Sequence, residues 1–238
     1  MHTRHMGIID VVDLSRSFGG QQAVDDLTMS VDSESITGMI GPNGSGKTTT
    51  FNLITGLLQP DSGRVEFRGT DITGWKPYRI ANEGLGRTFQ QARVFDEMTL
   101  EENLRTVETP DDDVDEAVDR WLSFVELDDH RHHYAGNLSG GQQVLLGIAR
   151  TLMLDPDLIL LDEPFAGVNP GLVDDIAALL ERLRTEEGKT VLVVDHEIDE
   201  ISSLCDELVV LVDGHQLLKD EPSVVREDDR VRESYLGL

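Results

Sequence analysis

Positive charge is scarce in this 238-residue chain: 20 Lys and Arg stand against 46 Asp and Glu, for a formal charge of −26. Most of the few cations are arginine. With no basic stripe to displace counterions from a phosphate backbone, the composition argues against a nucleic-acid partner. Cysteine is nearly absent. The lone Cys205 lies in Ile201-Ser202-Ser203-Leu204-Cys205-Asp206, where a small core residue is expected rather than a redox group. Long apolar runs are missing too, so no segment has the length to cross a bilayer as a helix. Met1-His2-Thr3-Arg4-His5-Met6 is too short and polar for a secretory leader. These absences together lead us to expect a cytoplasmic protein. Disorder does not follow from the charge, because 39% of residues are hydrophobic and they fall in regular, well-punctuated segments. The acidity instead reads as adaptation to a very salty interior. At 1 M salt the Debye length is about 3 Å and self-repulsion largely vanishes.

What the chain does have is organised around Gly41-Pro42-Asn43-Gly44-Ser45-Gly46-Lys47-Thr48, which fits G-x-x-x-x-G-K-[ST]. Ser35-Ile36-Thr37-Gly38-Met39-Ile40 before it reads as a buried strand. Thr48 to Leu58 after it has helical spacing, with Pro60 as a stop. Strand, glycine-rich loop and helix make a phosphate cradle. Backbone N–H groups turn inward and the helix N-terminus adds partial positive charge, with Gly41 to Thr49 as the expected nucleotide contacts. Lys47 is placed to reach the terminal phosphates, and the Thr48 hydroxyl to ligate Mg²⁺.

Upstream, residues 7–14 and 23–31 read as strands joined through Gly19-Gly20, with Phe18 at the turn. Taken alone Phe18 reads as packing; beside a phosphate cradle it could stack on an adenine. Downstream, Arg64 to Arg68 is an expected strand, Pro77 to Glu83 a short helix, and Gly84 to Gln91 a strand ending in polar amides. Gln90 there could reach a bound Mg²⁺ or its waters. Residues 96–137 differ in character and read as an inserted helical lobe. Thr99 and Glu102 form a capping-box pattern, and Val114 to Leu127 carries one apolar helical face. The cluster His130-Arg131-His132-His133 has poor spacing for a closed metal site and reads as a solvated turn.

Asn137-Leu138-Ser139-Gly140-Gly141-Gln142-Gln143 then leads into a helical pattern from Val144 to Leu154. Ser139 is placed as an N-cap, and Gly140-Gly141 leave the first-turn N–H groups open, a second anion site. Asp157 to Asp162 is a buried parallel strand whose end carries Asp162 and Glu163, where ligands sit in open α/β sheets. Asp162 is the candidate Mg²⁺ acid and Glu163 the candidate general base. Asn169 caps a helix that starts on Pro170 and runs to about Glu187. Thr190 to Val194 is another buried strand, with His196 just past its end where a reacting phosphate would lie. Asp206 to Val212 and His215 to Leu218 read as a terminal hairpin.

Five separated motifs in this order resemble the ATPase subunit of ABC transporters over nearly the whole chain. The most specific is Leu138-Ser139-Gly140-Gly141-Gln142, which matches that family's signature. The resemblance implies an α/β phosphate-loop core over 7–95 and 138–238, an N-terminal antiparallel β subdomain and a helical subdomain over 96–137. It implies ATP and Mg²⁺ as cofactors. Phe18 falls at the adenine-stacking position, Lys47 at the phosphate lysine, and Gln90 at the loop coupling Mg²⁺ to the membrane subunits. Asp162, Glu163 and His196 match the Mg²⁺ acid, the general base and the switch histidine. Asn169 stands where much of the family has Asp. In the family, the cradle of one copy and the signature of another sandwich each ATP, so a homodimer or a heterodimer with a paralogous ATPase is implied. Transmembrane permeases are the direct partners, a solute-binding protein an indirect one, and the cytoplasmic face of the membrane the location.

Phe51-Asn52-Leu53-Ile54-Thr55-Gly56, Gly86-Arg87-Thr88-Phe89-Gln90, Ala166-Gly167-Val168-Asn169-Pro170 and Ser234-Tyr235-Leu236-Gly237 are similar to the ATPases of branched-chain amino-acid importers. The lipopolysaccharide-exporter ATPase is similar in several of the same places. The stretch between Phe95 and Leu138 is shorter than in the commoner importer subunit. An acidic chain suits an outer-membrane lipid exporter poorly, which favours the importer. Non-transport relatives join two cassettes or carry long coiled coils, features this sequence lacks.

Overall fold

A computed structural model of the chain describes residues 7–88, 94–195 and 201–236. In chain order its strands and helices begin with β1 (Ile9–Phe18), β2 (Gln21–Val31), β3 (Ile36–Ile40), α1 (Lys47–Ile54), β4 (Ser62–Phe67) and β5 (Thr70–Asp71). Next come α2 (Pro77–Asn82), β6 (Leu85–Arg87), α3 (Leu100–Arg105), α4 (Val114–Phe124), α5 (Gly140–Leu152) and β7 (Leu158–Asp162). The rest comprises α6 (Pro170–Thr185), β8 (Thr190–Val194), β9 (Glu207–Val212), β10 (His215–Asp220), α7 (Pro222–Glu227) and α8 (Asp229–Leu236).

The strands make two sheets. β2-β1-β4-β5 is antiparallel, and its first hairpin closes on Gly19-Gly20 with φ of 57° and 87°, the positive pair that a two-residue primed turn demands. The six-stranded sheet runs β10-β9-β3-β8-β7-β6, parallel from β9 to β6, with β10 antiparallel at one edge. β7 and β8 are buried along their full length, as strands covered on both faces must be.

Alternation along those strands separates two hydrophobic layers. Ile159 and Leu161 face one side with Val191 and Val193, and pack with Trp121, Leu146, Ile148 and Leu180 of the helices. Leu158 and Leu160 face the other side with Leu192 and Val194, against Phe51, Leu14 and Val65 from α1 and the antiparallel sheet. The parallel sheet is the wall shared by both cores. Cys205 belongs to the helical side, buried as expected, and burial pushes its thiol pKa up.

Residues 96–137 form α3, α4 and two short 3-10 turns. α3 opens on the expected capping box, with Thr99 Oγ1 accepting from Glu102 N at 3.2 Å and Glu102 Oε2 accepting from Thr99 N at 2.7 Å. Asp113 caps α4 through Asp115 N and Glu116 N, and Trp121 on its inner face is 1% exposed. His130 and His133 stand with their Nδ1 atoms 3.1 Å apart.

Several boundaries differ from the sequence reading. β1 continues to Phe18 because register shifts let it follow β2 past Leu14. The helix expected from Val144 starts at Gly140, directly behind its Ser139 cap, and ends at Leu152. β6 is only Leu85–Arg87 within the described residues. α7 and α8 have no counterpart in that reading; they are short and anchor through Val225 and Val231.

Candidate active site

The parallel sheet carries three chain ends to one place. β3, β8 and β7 are neighbours in register, with Met39 opposite Val194 and Val194 opposite Asp162, so the loops after them converge. The phosphate loop leaves β3 and enters α1. Gly46 is the N-cap of α1, no side chain caps it, and no acidic residue occupies the first turn, so the leading N–H groups are open to an anion. Gly46 has φ of 105°, and a Cβ on it would lie 2.5 Å from the Ala23 carbonyl oxygen of β2. Only glycine lets the loop press that close to the antiparallel sheet. Gly214, at the tip of the β9–β10 hairpin, donates its N–H to Ser45 O at 3.0 Å and supports the loop from the other side.

Lys47 is buried, with Nζ donating to Gly41 O at 2.6 Å and Pro42 O at 3.1 Å. Desolvation holds its pKa below the usual lysine range, while the carboxylates of Glu163, Asp195 and Asp162 push it back up. Those three acids therefore lie near enough to act electrostatically on the lysine that the sequence places at the phosphates. Thr48 is exposed and Thr49 half-buried in the first turn of α1.

Asp162 ends β7 in a buried ion pair: Arg87 donates to its Oδ2 at 2.8 Å, with the two side chains 8% and 7% exposed. Glu163 follows with φ of 49°, a left-handed conformation costly for a side chain with a Cβ, and its N–H donates to Val194 O at 2.8 Å. Strained backbone of this kind clusters at working sites. Asp195, just past β8, is 1% exposed. It and Arg87 carry no role in the sequence reading. Asp195 had the same signal as Asp162, an acid at the end of a fully apolar strand; for Arg87 the signal is tertiary.

Phe18, the last residue of β1, is 45% exposed, with the Arg16 guanidinium carbon 5.0 Å from its ring centroid. An outward ring on the hairpin that borders Gly46 fits stacking better than core packing. The signature residues open α5. Ser139 Oγ caps α5 by accepting from Gln142 N at 3.3 Å, and Gln142 Oε1 accepts from Ser139 N at 3.0 Å. Gly141 meets α6 so closely that a Cβ would lie 1.9 Å from Leu172 Cδ2. Gly140 has nothing within 4 Å of a Cβ position and faces open space. Asn169 Oδ1 caps α6 by accepting from Leu172 N at 3.2 Å, as its sequence position predicts. Gln90 and His196 lie outside the described residues.

The donor set suits ATP with Mg²⁺. Thr48 and Asp162 offer the hard oxygens that Mg²⁺ prefers, next to a helix N-terminus left open for phosphate. The ABC transporter family model matches residues 24–166. The high-affinity branched-chain amino acid transport ATP-binding protein BraF of Pseudomonas aeruginosa is 38% identical, across 97% of this chain and 98% of BraF. The lipopolysaccharide export system ATP-binding protein LptB of Escherichia coli K12 is 34% identical, across 98% of each. Among solved structures, the ADP conformation of MJ1267, an ATP-binding cassette of an ABC transporter, superposes with a TM-score of 0.89 at 36% identity, over 98% of this chain and 100% of that one. The chain thus belongs to the ABC transporter family, as one of its ATP-hydrolysing cassettes.

Proposed function

We propose that this cassette drives import of branched-chain amino acids, closing as a dimer around ATP and Mg²⁺ and passing that closure to transmembrane permeases. The observation that carries the ATPase part of the reading is Lys47, Asp162 and Glu163 brought together beside the open N-terminus of α1, and the similarity to BraF supports the choice of solute. Lys47 and the loop amides of Gly41 to Thr49 would bind the phosphates, and Phe18 would stack on the base. Thr48 and Asp162, with Gln90, would hold Mg²⁺, which when bound neutralises charge on the phosphoryl oxygens. Glu163 would take the proton of the attacking water, and His196 would hydrogen-bond the transferred phosphate.

Ser139 caps α5 and Gly140 faces open space, and from the resemblance to the family we assign Ser139 to Gln142 to the ATP held by the opposing copy. The second copy is either identical or a paralogous ATPase. Beside Arg87 and Glu163 a groove of about 680 Å³ runs along Val94, Phe95, Val107 and Val144, and it suits a permease helix. No helix among the described residues is long and apolar enough to cross a membrane, which fits a peripheral subunit held at the cytoplasmic face by such contacts. A solute-binding protein would act through the permease.

Two measurements test this. Glu163→Gln should lower ATP turnover about 10²- to 10⁴-fold while ATP still binds; turnover at the wild-type rate would remove Glu163 as the base. Reconstituted with the permeases that co-purify from native membranes, the wild-type chain should support ATP-dependent leucine, isoleucine or valine uptake. Extraction of lipid without amino-acid uptake would replace the solute and keep the ATPase.

A further inference from the structure

Two sequence motifs far apart in the chain meet at one guanidinium. Arg87, the last residue of β6, donates through one terminal nitrogen to Asp162 Oδ2 at 2.8 Å. Through the other it donates to Asn52 Oδ1 of α1 at 2.7 Å and to Oγ1 of its C-cap Thr55 at 3.2 Å. Its guanidinium carbon lies 5.6 Å from the Phe51 ring centroid of the same helix. Phe51-Asn52-Leu53-Ile54-Thr55 and Gly86-Arg87-Thr88 are thus two sides of one bracket, and the carboxylate at the end of β7 is its third side.

We infer that Arg87 is a positioning residue for the reaction: its rigid fork fixes the Asp162 carboxylate relative to α1, the helix that carries Lys47 and Thr48. The inference rests on the assignment of Asp162 to Mg²⁺ made above. Thr48 and Asp162 come from α1 and β7, elements with no covalent link near the site, and a shared Mg²⁺ needs near-ideal octahedral spacing between such donors. A planar guanidinium bonded to both elements sets that spacing before metal arrives. Lysine, a single point charge on a flexible stem, can answer Asp162 or Asn52 but cannot hold both in one plane. Outer partners of metal-binding carboxylates typically matter 10- to 100-fold for metal affinity or activity.

The experiment uses the full-length purified chain with Mn²⁺ as the probe and a non-hydrolysable ATP analogue. Free Mn²⁺ is read by electron paramagnetic resonance, and metal-free nucleotide affinity by a fluorescent analogue in EDTA. Arg87→Ala should weaken Mn²⁺ retention about 10- to 100-fold, with metal-free nucleotide affinity changed less than about threefold. Arg87→Lys should fall between Arg87→Ala and wild type, and its ATPase should need more Mg²⁺ for half-saturation with the KM for metal-bound ATP less affected. Should Arg87→Ala fail to fold, Arg87→Lys and Asn52→Ala, which keep a cation opposite Asp162, carry the test. Asp162→Asn is the control. If it loses Mn²⁺ while folded Arg87 variants and Asn52→Ala retain it as wild type does, Arg87 is not a positioning residue. If Asp162→Asn itself retains Mn²⁺, the metal assignment of Asp162 is wrong and the bracket loses its purpose.

Discussion

Gly44 and Gly46 sit two residues apart in the phosphate loop under different constraints. Both have positive φ, 84° and 105°. A methyl group on Gly44 meets nothing within 4 Å, whereas on Gly46 it meets a β2 carbonyl that the sheet holds in place. Gly44→Ala should therefore cost the backbone term alone, about 1–2 kcal/mol. Gly46→Ala should add an overpacking cost of about 1–3 kcal/mol. Urea midpoints of the two variants decide this; equal shifts would mean that the Ala23 contact is not a constraint. The same scale explains what sequence alone could reach. Lys47 was legible from the glycine-rich pattern that precedes it, and Asp162 and Glu163 from their place at the end of a short apolar strand, all of them local signals. Arg87 was legible only as a letter in a family-like string, since its partners Asn52, Thr55 and Asp162 are 35, 32 and 75 residues away.

At the scale of elements, caps carry both structure and chemistry. Ser139 holds the first turn of α5 through Gln142, and its own O–H points to Gln142 Oε1 at 3.1 Å. That one proton must re-aim if the hydroxyl is to meet a phosphate, while the Ser139 N–H bond keeps Gln142 in place. Ser139→Ala should thus lower folding stability by about 1 kcal/mol besides reducing hydrolysis, and thermal melts of the isolated chain separate the two effects. A melt unchanged from wild type would mean the cap contributes nothing. α8 gives a pH-dependent case. Asp228 accepts from Arg230 and from the Arg230 and Val231 N–H groups, which holds its pKa at about 2, below the usual 3.8. A depressed carboxylate stabilises fully above its ordinary value, so this cap should persist at neutral pH and vanish as pH falls from 3.8 through about 2. An NMR titration of the Asp228 carboxyl checks it, and an ordinary midpoint would remove the cap. α7 and α8 escaped the sequence reading for a physical reason. At 6 and 8 residues each is too short to show a periodic face, and tertiary burial of Val225 and Val231 supplies what local pattern does not.

The whole molecule carries a net charge of −26, and its cations are largely engaged in ion pairs such as Arg16 with Asp61 and Lys219 with Glu207. Pairs this exposed add little each, so the surplus of acid is left to repel itself in dilute buffer. The melting temperature should climb as KCl rises from 0.1 M into the molar range; a flat response would overturn the reading of salt adaptation.

The order of strands in the central sheet has a consequence for how the protein is made. β3 is hydrogen-bonded between β8 and β9, and Ser45 waits for the amide of Gly214. The phosphate loop is therefore translated early and completed late. At about 5–20 residues per second, a nascent chain spends on the order of ten seconds with that loop exposed and unsupported. A chain interrupted before Gly214 should be blind to ATP, so that binding reports on finished synthesis.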